Sequence, residues 1–200
     1  MNLEELEARI TFLEDIEKIK KLQNIYGYYF DAGMHDDIID LFSDNTVSFE
    51  GGDHGVFFGK SGVVRFFRDI LGKMAAPPPE LSLHLVIMHQ PVIDIAPGGK
   101  TAKGRWHGWM CGTRMHEGRP VQTWGHGIYE NEFVKEAREW KFIKLHYNVT
   151  FRTTYEDGWL KTPFLIGTAD DPIKPDAPPT ALHPYPSGYT VPYHWLERGK

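Results

Sequence analysis

Cysteine is all but missing: Cys111 stands alone in a chain of 200 residues. One thiol excludes an internal disulfide and any zinc site built on several cysteines. No apolar run is long enough to span a bilayer. The opening "MNLEELEARI" is acidic and amphipathic, not a basic start followed by an apolar block, so it does not read as a secretory leader. A cytoplasmic protein is expected. No long basic run interrupts a formal net charge of −5, which argues against a nucleic-acid partner. The ten histidines lack zinc-motif spacing: "HLVIMH" sends its two to opposite faces of a strand, and "FEGGDHG" has no defined ligand pattern. No metal is expected. "GGDHGVFFGKSG" lacks the upstream glycine of a phosphate-binding loop, and the sequon "NVT" has no secretory context.

What the chain does have is aromatic rings, with 12 Phe, 9 Tyr and 6 Trp in a sequence that is 41% hydrophobic. They suit a core and a pocket for an aromatic ligand. Apolar positions Leu3, Leu6, Ile10, Leu13, Ile16, Ile19, Leu22, Ile25 and Tyr29 step by three and four, which predicts a helix over 3–31 stopped by Gly33. Asp36 can cap a short second helix, and Ser61 a third that carries Val63, Val64, Phe66, Phe67, Ile70 and Leu71. Short strands are expected at 46–50 and 55–58. Long ones follow at 81–96, 100–112, 119–135 and 139–153, joined by turns short enough to impose antiparallel hairpins. Helices first and a strand meander after is an α+β pattern, with helices packed on one face of a curved sheet. The domain is expected to occupy 1–158. Residues 159–200 hold eight of the 14 prolines together with Tyr185, Tyr189, Tyr193 and Trp195. Proline excludes helix or sheet interior there, and so many rings argue for an extended arm docked on the domain or on a neighbouring subunit rather than a loose tail.

The stretches "DIEKIKKLQNIYGYYFDAGMHDDIIDLFSDNTVSFEG", "GVFFGKSGVVRFF" and "GIYENEFVKEAREWKFIKLHY" resemble the SnoaL-like branch of the NTF2-like superfamily over most of 15–155. That branch holds dehydratases, a dehydrochlorinase, polyketide cyclases and lyases of lignin-derived diaryl compounds. The tail "HPYPSGYTVPYHW" is most similar to the diarylpropane lyases. The resemblance implies a cone-shaped α+β barrel around a cavity, acid–base chemistry without cofactor or metal, a small aromatic substrate, and a homotrimer or homodimer with the arm at the subunit contact. It implies a lyase that removes water or formaldehyde through a quinone-methide-like intermediate. An isomerase, a cyclase and a non-catalytic binder are the alternatives.

In dehydratases of this branch a Tyr precedes a catalytic Asp by five residues, and "YGYYFD" places Tyr26 and Asp31 at that spacing. A carboxylate walled by rings loses hydration and its pKa rises, as a proton-transfer group requires. The competing reading is a helix-end Asp that caps backbone. Glu50 is either a second acid–base group or a strand end. Aligning "QPVI" puts the branch's catalytic histidine at Val86, so either His84 takes its place two residues earlier on the same face or the dyad is absent; a core histidine is the other reading for His84 and for His89. Arg105, His107, Trp109 and Cys111 share the strand face taken as inward, with Arg105 supplying charge and His107 a proton; the same face is alternatively a subunit contact. Thr123, Gly125, Gly127, Tyr129 and Asn131 are taken as inward on the next strand, the glycines leaving room for a ligand. Tyr29 and Phe49 complete the proposed lining, while His146 and Asn148 reach it only if a bulge turns their strand.

Overall fold

The computed structural model describes residues 2–73, 77–165 and 174–196. Helix α1 (Leu3–Asp31) opens with a capping box: Asn2 Oδ1 accepts from Glu5 N at 2.8 Å, and Glu5 Oε2 accepts from Asn2 N at 3.1 Å. Its apolar stripe is used unevenly. Ile19, Leu22 and Tyr26 are buried, whereas Leu3, Leu6, Ile10 and Leu13 remain exposed. Asp15 is buried at the junction because Lys135 Nζ and Trp140 Nε1 both donate to its carboxylate, at 2.8 and 3.0 Å. Gly33, at φ +65°, takes the left-handed conformation that lets Met34 N reach Tyr29 O (2.9 Å) and close the helix.

Two expected caps are corrected. Helix α2 (His35–Asp40) begins after Met34, so Asp36 sits in its first turn and pairs with Arg68. Helix α3 (Gly59–Val64) begins two residues before Ser61 without a side-chain cap. It widens into π turns over Arg65–Ile70, which bury Phe66, Phe67 and Ile70.

The strands are β1 (Ser48–Gly51), β2 (Val56–Phe58), β3 (His84–Ile95), β4 (Thr101–His116), β5 (Arg119–Glu136) and β6 (Glu139–Thr154). They form one sheet in the order β2-β1-β6-β5-β4-β3, antiparallel except where β1 runs parallel to β6. Bulges curl it. One follows His89 on β3, where Gln90 has φ +51°, and two lie between β5 and β6, at His126/Gly127 and Glu132/Phe133. Each β5–β6 bulge switches which residues of β6 face inward: Trp140 and Phe142 pair with Lys135 and Phe133 at one end, Tyr147 pairs with Tyr129 in the middle, and Arg152 pairs with Gly125 at the other end.

The helices close the concave face over a core of rings that includes Tyr26, Phe42, Phe49, Phe67, Phe133 and Phe142. Each such side chain contributes roughly 1.5–3 kcal/mol by leaving water. This is the α+β arrangement expected from the sequence. Among the described residues no helix is long and apolar enough to cross a membrane.

Residues 174–196 dock on this chain's own convex face. Val56 N donates to Ala177 O (2.9 Å) and Tyr185 N to Thr150 O (2.6 Å). His194 is buried against Glu130 and lies 3.4 Å from Asp94. Residues 166–173 and 197–200 of the expected arm lie outside the described residues.

Candidate active site

A cavity of about 760 Å³ lies between the helices and the concave face. Tyr26, Phe30, Phe49, Phe66, Tyr129 and Tyr147 supply its aromatic wall, and Asp31, His84, Arg114 and Arg152 bring ionisable groups to it. Its volume falls in the range that encloses a drug-sized ligand.

The end of α1 places Asp31. Val86 N, on β3, donates to Asp31 Oδ1 at 2.6 Å, its one hydrogen bond among the described residues. Burial pushes this carboxyl above its usual pKa, and the Val86 N–H offsets part of the rise. His84 lies two residues before Val86 on the same strand face, so carboxyl and imidazole line the same wall. Its ring stacks on Phe30, with centroids 4.9 Å apart, and its buried Nδ1 has no partner among the described residues. Burial, reinforced by the positive charge of Arg114, pushes the His84 pKa down to about 4. The imidazole is therefore neutral, with a nitrogen free to accept.

Three phenols meet deeper in the cavity. Tyr26 and Tyr129 pack edge to face with centroids 6.1 Å apart, and Tyr129 and Tyr147 lie 4.6 Å apart. Burial raises the pKa of all three, so they are neutral donors. Tyr147 Oη donates to Gly108 O over 3.4 Å, and the Tyr26 and Tyr129 hydroxyls interact with each other. Gly108 and Gly127 face each other across β4 and β5, and a Cβ on either would stand 2.5 Å from the Tyr129 or Tyr147 ring. The room at Gly127 thus holds one of the protein's own phenols, not a ligand as the sequence suggested; Gly125 does line the cavity.

The inward face of β4 is the reverse of the one expected. Trp106, Gly108, Met110, Gly112 and Arg114 look inward, because they pair with Tyr129, Gly127, Gly125, Thr123 and Val121 of β5. His116 and Arg119 pair across the two-residue turn Glu117–Gly118, so an inward Tyr129 forces an inward Trp106. Arg105, His107 and Trp109 therefore lie on the convex side. Arg105 Nη1 donates to Glu130 Oε2 (2.8 Å) and to Pro192 O (2.9 Å), and its guanidinium lies 4.5 Å from the Tyr193 ring centre. His107 is within 2.8 Å of His126, and Trp109 stacks on Trp124 at 5.8 Å.

Glu50 also points outward, because its neighbour Phe49 takes the cavity side. It is fully buried all the same. Thr180 N, Thr180 Oγ1 and Ala181 N donate to its carboxylate at 2.5, 2.7 and 2.7 Å, so it anchors the arm. His146 bonds Ser48 Oγ at 2.8 Å beside it, and burial pushes its pKa down to about 4. Asn148 Nδ2 donates to Ile128 O (3.3 Å). The bulges fall on either side of this pair and leave both outward. Tyr29 packs against the core and does not line the cavity. Of the sequence candidates, Tyr26, Asp31, Phe49, His84 and Tyr129 are brought together.

Two cavity residues have no counterpart in the sequence reading. Arg114 lies beyond the expected end of its strand at 112, and Arg152 turns inward only through a bulge. Arg152 Nη1 and Nη2 grip Asp53 at 3.0 and 2.7 Å. Burial alone would raise the Asp53 pKa, but this guanidinium holds it below its usual value. Among the described residues no group of three His, Cys, Asp or Glu side chains is arranged to hold a metal ion.

The model of the SnoaL-like domain family matches residues 11–146. No curated protein matches the chain in sequence. Among solved structures, a candidate scytalone dehydratase from Novosphingobium aromaticivorans is similar at TM-score 0.61, with 18% identity over 81% of this chain and 99% of that one. A type 2 hexachlorocyclohexane dehydrochlorinase is similar at TM-score 0.62, with 16% identity over 73% and 92% of the two chains. A candidate aromatic ring hydroxylase, also from Novosphingobium aromaticivorans, reaches TM-score 0.57 with 21% identity over 72% and 96%. The cone of bulged strands and the family match over most of the chain agree: this protein belongs to the SnoaL-like domain family of the NTF2-like superfamily.

Proposed function

We propose that the chain is a cofactor-independent lyase that eliminates water, and formaldehyde where the substrate carries a hydroxymethyl group, from a phenolic two-ring compound. One observation carries this reading: Asp31 and His84 share an aromatic-walled cavity with hydrogen-bonding capacity that the protein does not use. Their proton affinities are also drawn together, Asp31 upward and His84 down to about 4. Shifts in these two directions lower the cost of passing a proton between the groups, which suits an acid–base pair. The similar folds include proteins named as a dehydratase and a dehydrochlorinase, and both names denote eliminations.

In the proposed cycle Asp31 protonates a benzylic hydroxyl, which leaves as water. The para oxygen, bound as its phenolate, supplies the electron pair and a quinone methide forms; the later step returns that pair and regenerates the phenolate. His84 then takes a proton. Taken from the neighbouring carbon, it leaves an alkene. Taken from a hydroxymethyl group on that carbon, it breaks the carbon–carbon bond, releases formaldehyde and returns the electron pair to restore the aromatic ring. Proton return from His84 to Asp31 resets the site. The aromatic wall excludes water from the reactive intermediate.

The test is to incubate the protein, without added cofactor, with phenolic diaryl compounds bearing a benzylic hydroxyl. Stilbene absorbance and formaldehyde release are then followed. Product from the wild type and none from Asp31→Asn supports the reading. Tight binding of the same compounds without conversion would instead make the chain a binder.

A further inference from the structure

Arg114 is a guanidinium for which the described residues provide no acceptor. It enters no hydrogen bond and no ion pair among them, and it lines the cavity half-buried. The obvious internal partner is taken, since Asp53 holds both terminal nitrogens of Arg152. Arg152 donates further to Leu165 O, from Nε at 3.0 Å and Nη2 at 2.7 Å. Tyr147 is close enough to Arg114 to interact electrostatically, but its buried phenol is neutral. Thr123, on the neighbouring strand, gives its hydroxyl proton to Gly112 O at 3.0 Å.

The place of Arg114 in the sheet is informative. His84 pairs with Gly112, and its ring lies against that glycine, where a Cβ would stand 3.6 Å from His84 Cδ2. Arg114 is the next residue on the same face, one strand repeat away. Across β5, where Thr123 and Gly125 keep the floor low, stands Arg152. The cavity therefore has a cationic end beside His84, open above small side chains. A planar guanidinium without a protein acceptor matches the two oxygens of a carboxylate or a single phenolate oxygen.

We infer that Arg114 receives an anionic oxygen of the ligand, so that the natural substrate is an aromatic acid or a phenol bound as its phenolate. The inference rests on the proposed use of this cavity as the substrate site and narrows the substrate class. It also gives the base a trigger. The Arg114 charge depresses His84, and an anion bound to Arg114 neutralises that charge and makes His84 a stronger base once substrate is in place.

The test is calorimetric binding of two isosteric probes, 4-methoxybenzoate and 4-methoxybenzamide, with 4-nitrophenol as a third whose absorbance reports its ionisation. The full-length wild type is expected to bind the acid at least about tenfold more tightly than the amide, to lower the pH at which 4-nitrophenol ionises, or both. Arg114→Gln should abolish either effect while keeping amide affinity, which shows that the cavity is intact. Arg114→Lys should restore part of it. A preference for the acid alone assigns a carboxylate, and an ionisation shift alone assigns a phenolate. Neither effect in the wild type, or an effect that survives in Arg114→Gln, overturns the inference. Asp31→Asn should keep the anion effect, so failure of the lyase reading and failure of the anion site are told apart by turnover on one side and binding on the other.

Discussion

The two faces of β4 carry the same chemical types and differ in what those types already hold. Outside, Arg105 is held by a carboxylate, two arm carbonyls and a tyrosine ring, and His107 by His126. Inside, Arg114 has no acceptor among the described residues, and neighbouring His84 has a buried nitrogen without a partner. An arginine and a histidine on a strand are therefore not a site by composition. The distinction is hydrogen-bonding capacity that the described residues leave free on the cavity side.

Turnover gives that comparison its hardest test. Asp31→Asn and His84→Ala are expected to lower kcat by about 10²–10⁴ each, the usual scale of a lost proton-transfer group. His107→Ala on the convex face should stay within about threefold. Steady-state rates on any converted phenolic compound check this. Equal losses for His84→Ala and His107→Ala would erase the difference between the faces.

The fold was legible in the sequence, and the inward face of β4 was legible in principle. Tyr129 inward and the two-residue Glu117–Gly118 turn together require Trp106 inward, because hairpin partners share a face. Taking β4 by its residue types placed Arg105 and His107 in the cavity instead. Arg114 was hidden by a strand end set at 112, where the ladder runs on to His116. Arg152 was beyond reach in a different way. A bulge between β5 and β6 decides its direction, and bulges are set by the packing of the whole sheet rather than by local periodicity. Glu50 shows a third limit. Its partners, Thr180 and Ala181, are distant in sequence, and nothing near a strand end foretells an arm folded over it.

That anchor gives the next largest effect. Glu50→Ala leaves the buried Ala181 N–H without its acceptor and releases Thr180, and a lost hydrogen bond to a charged group typically costs about 1.5–3 kcal/mol. Thermal unfolding should show the loss, and limited proteolysis should cut the arm first. Phe49→Leu, one residue away on the cavity side, should change ligand affinity with a smaller loss of stability.

Acid should weaken both faces by one mechanism. His84 inside and His126 and His146 outside each have a pKa pushed down to about 4, chiefly by burial. The unfolded chain takes up protons near pH 6.5 that the folded chain refuses until about pH 4. The stability each group contributes is complete above pH 6.5 and is lost as pH falls through that window, up to about 3 kcal/mol for a fully shielded group. Denaturant midpoints from pH 7 to pH 4 should fall, and His126→Phe and His84→Phe should each flatten the decline. A flat profile in the wild type would show that the imidazoles are solvated.

Asp31 should show the smallest change, with the opposite sign. Its folded pKa lies above the unfolded value, so the folded state binds the extra proton. Whatever stability this group adds is present below the unfolded pKa and disappears as pH rises through the folded one. The fold therefore disfavours the ionised carboxylate and favours the protonated form from which the proposed cycle starts. Asp31→Asn removes that charge while its amide oxygen can still accept from Val86 N. Stability at pH 7 should be unchanged or slightly higher, by no more than about 0.5 kcal/mol, and the dependence of stability on pH should lose its Asp31 component. The same substitution is expected to lower turnover by about 10²–10⁴. A residue whose removal leaves the fold untouched and stops the reaction is kept for chemistry, whereas Glu50→Ala should do the reverse. If Asp31→Asn instead unfolds the protein, the carboxylate is a structural cap on β3 and the inner face loses its proton donor.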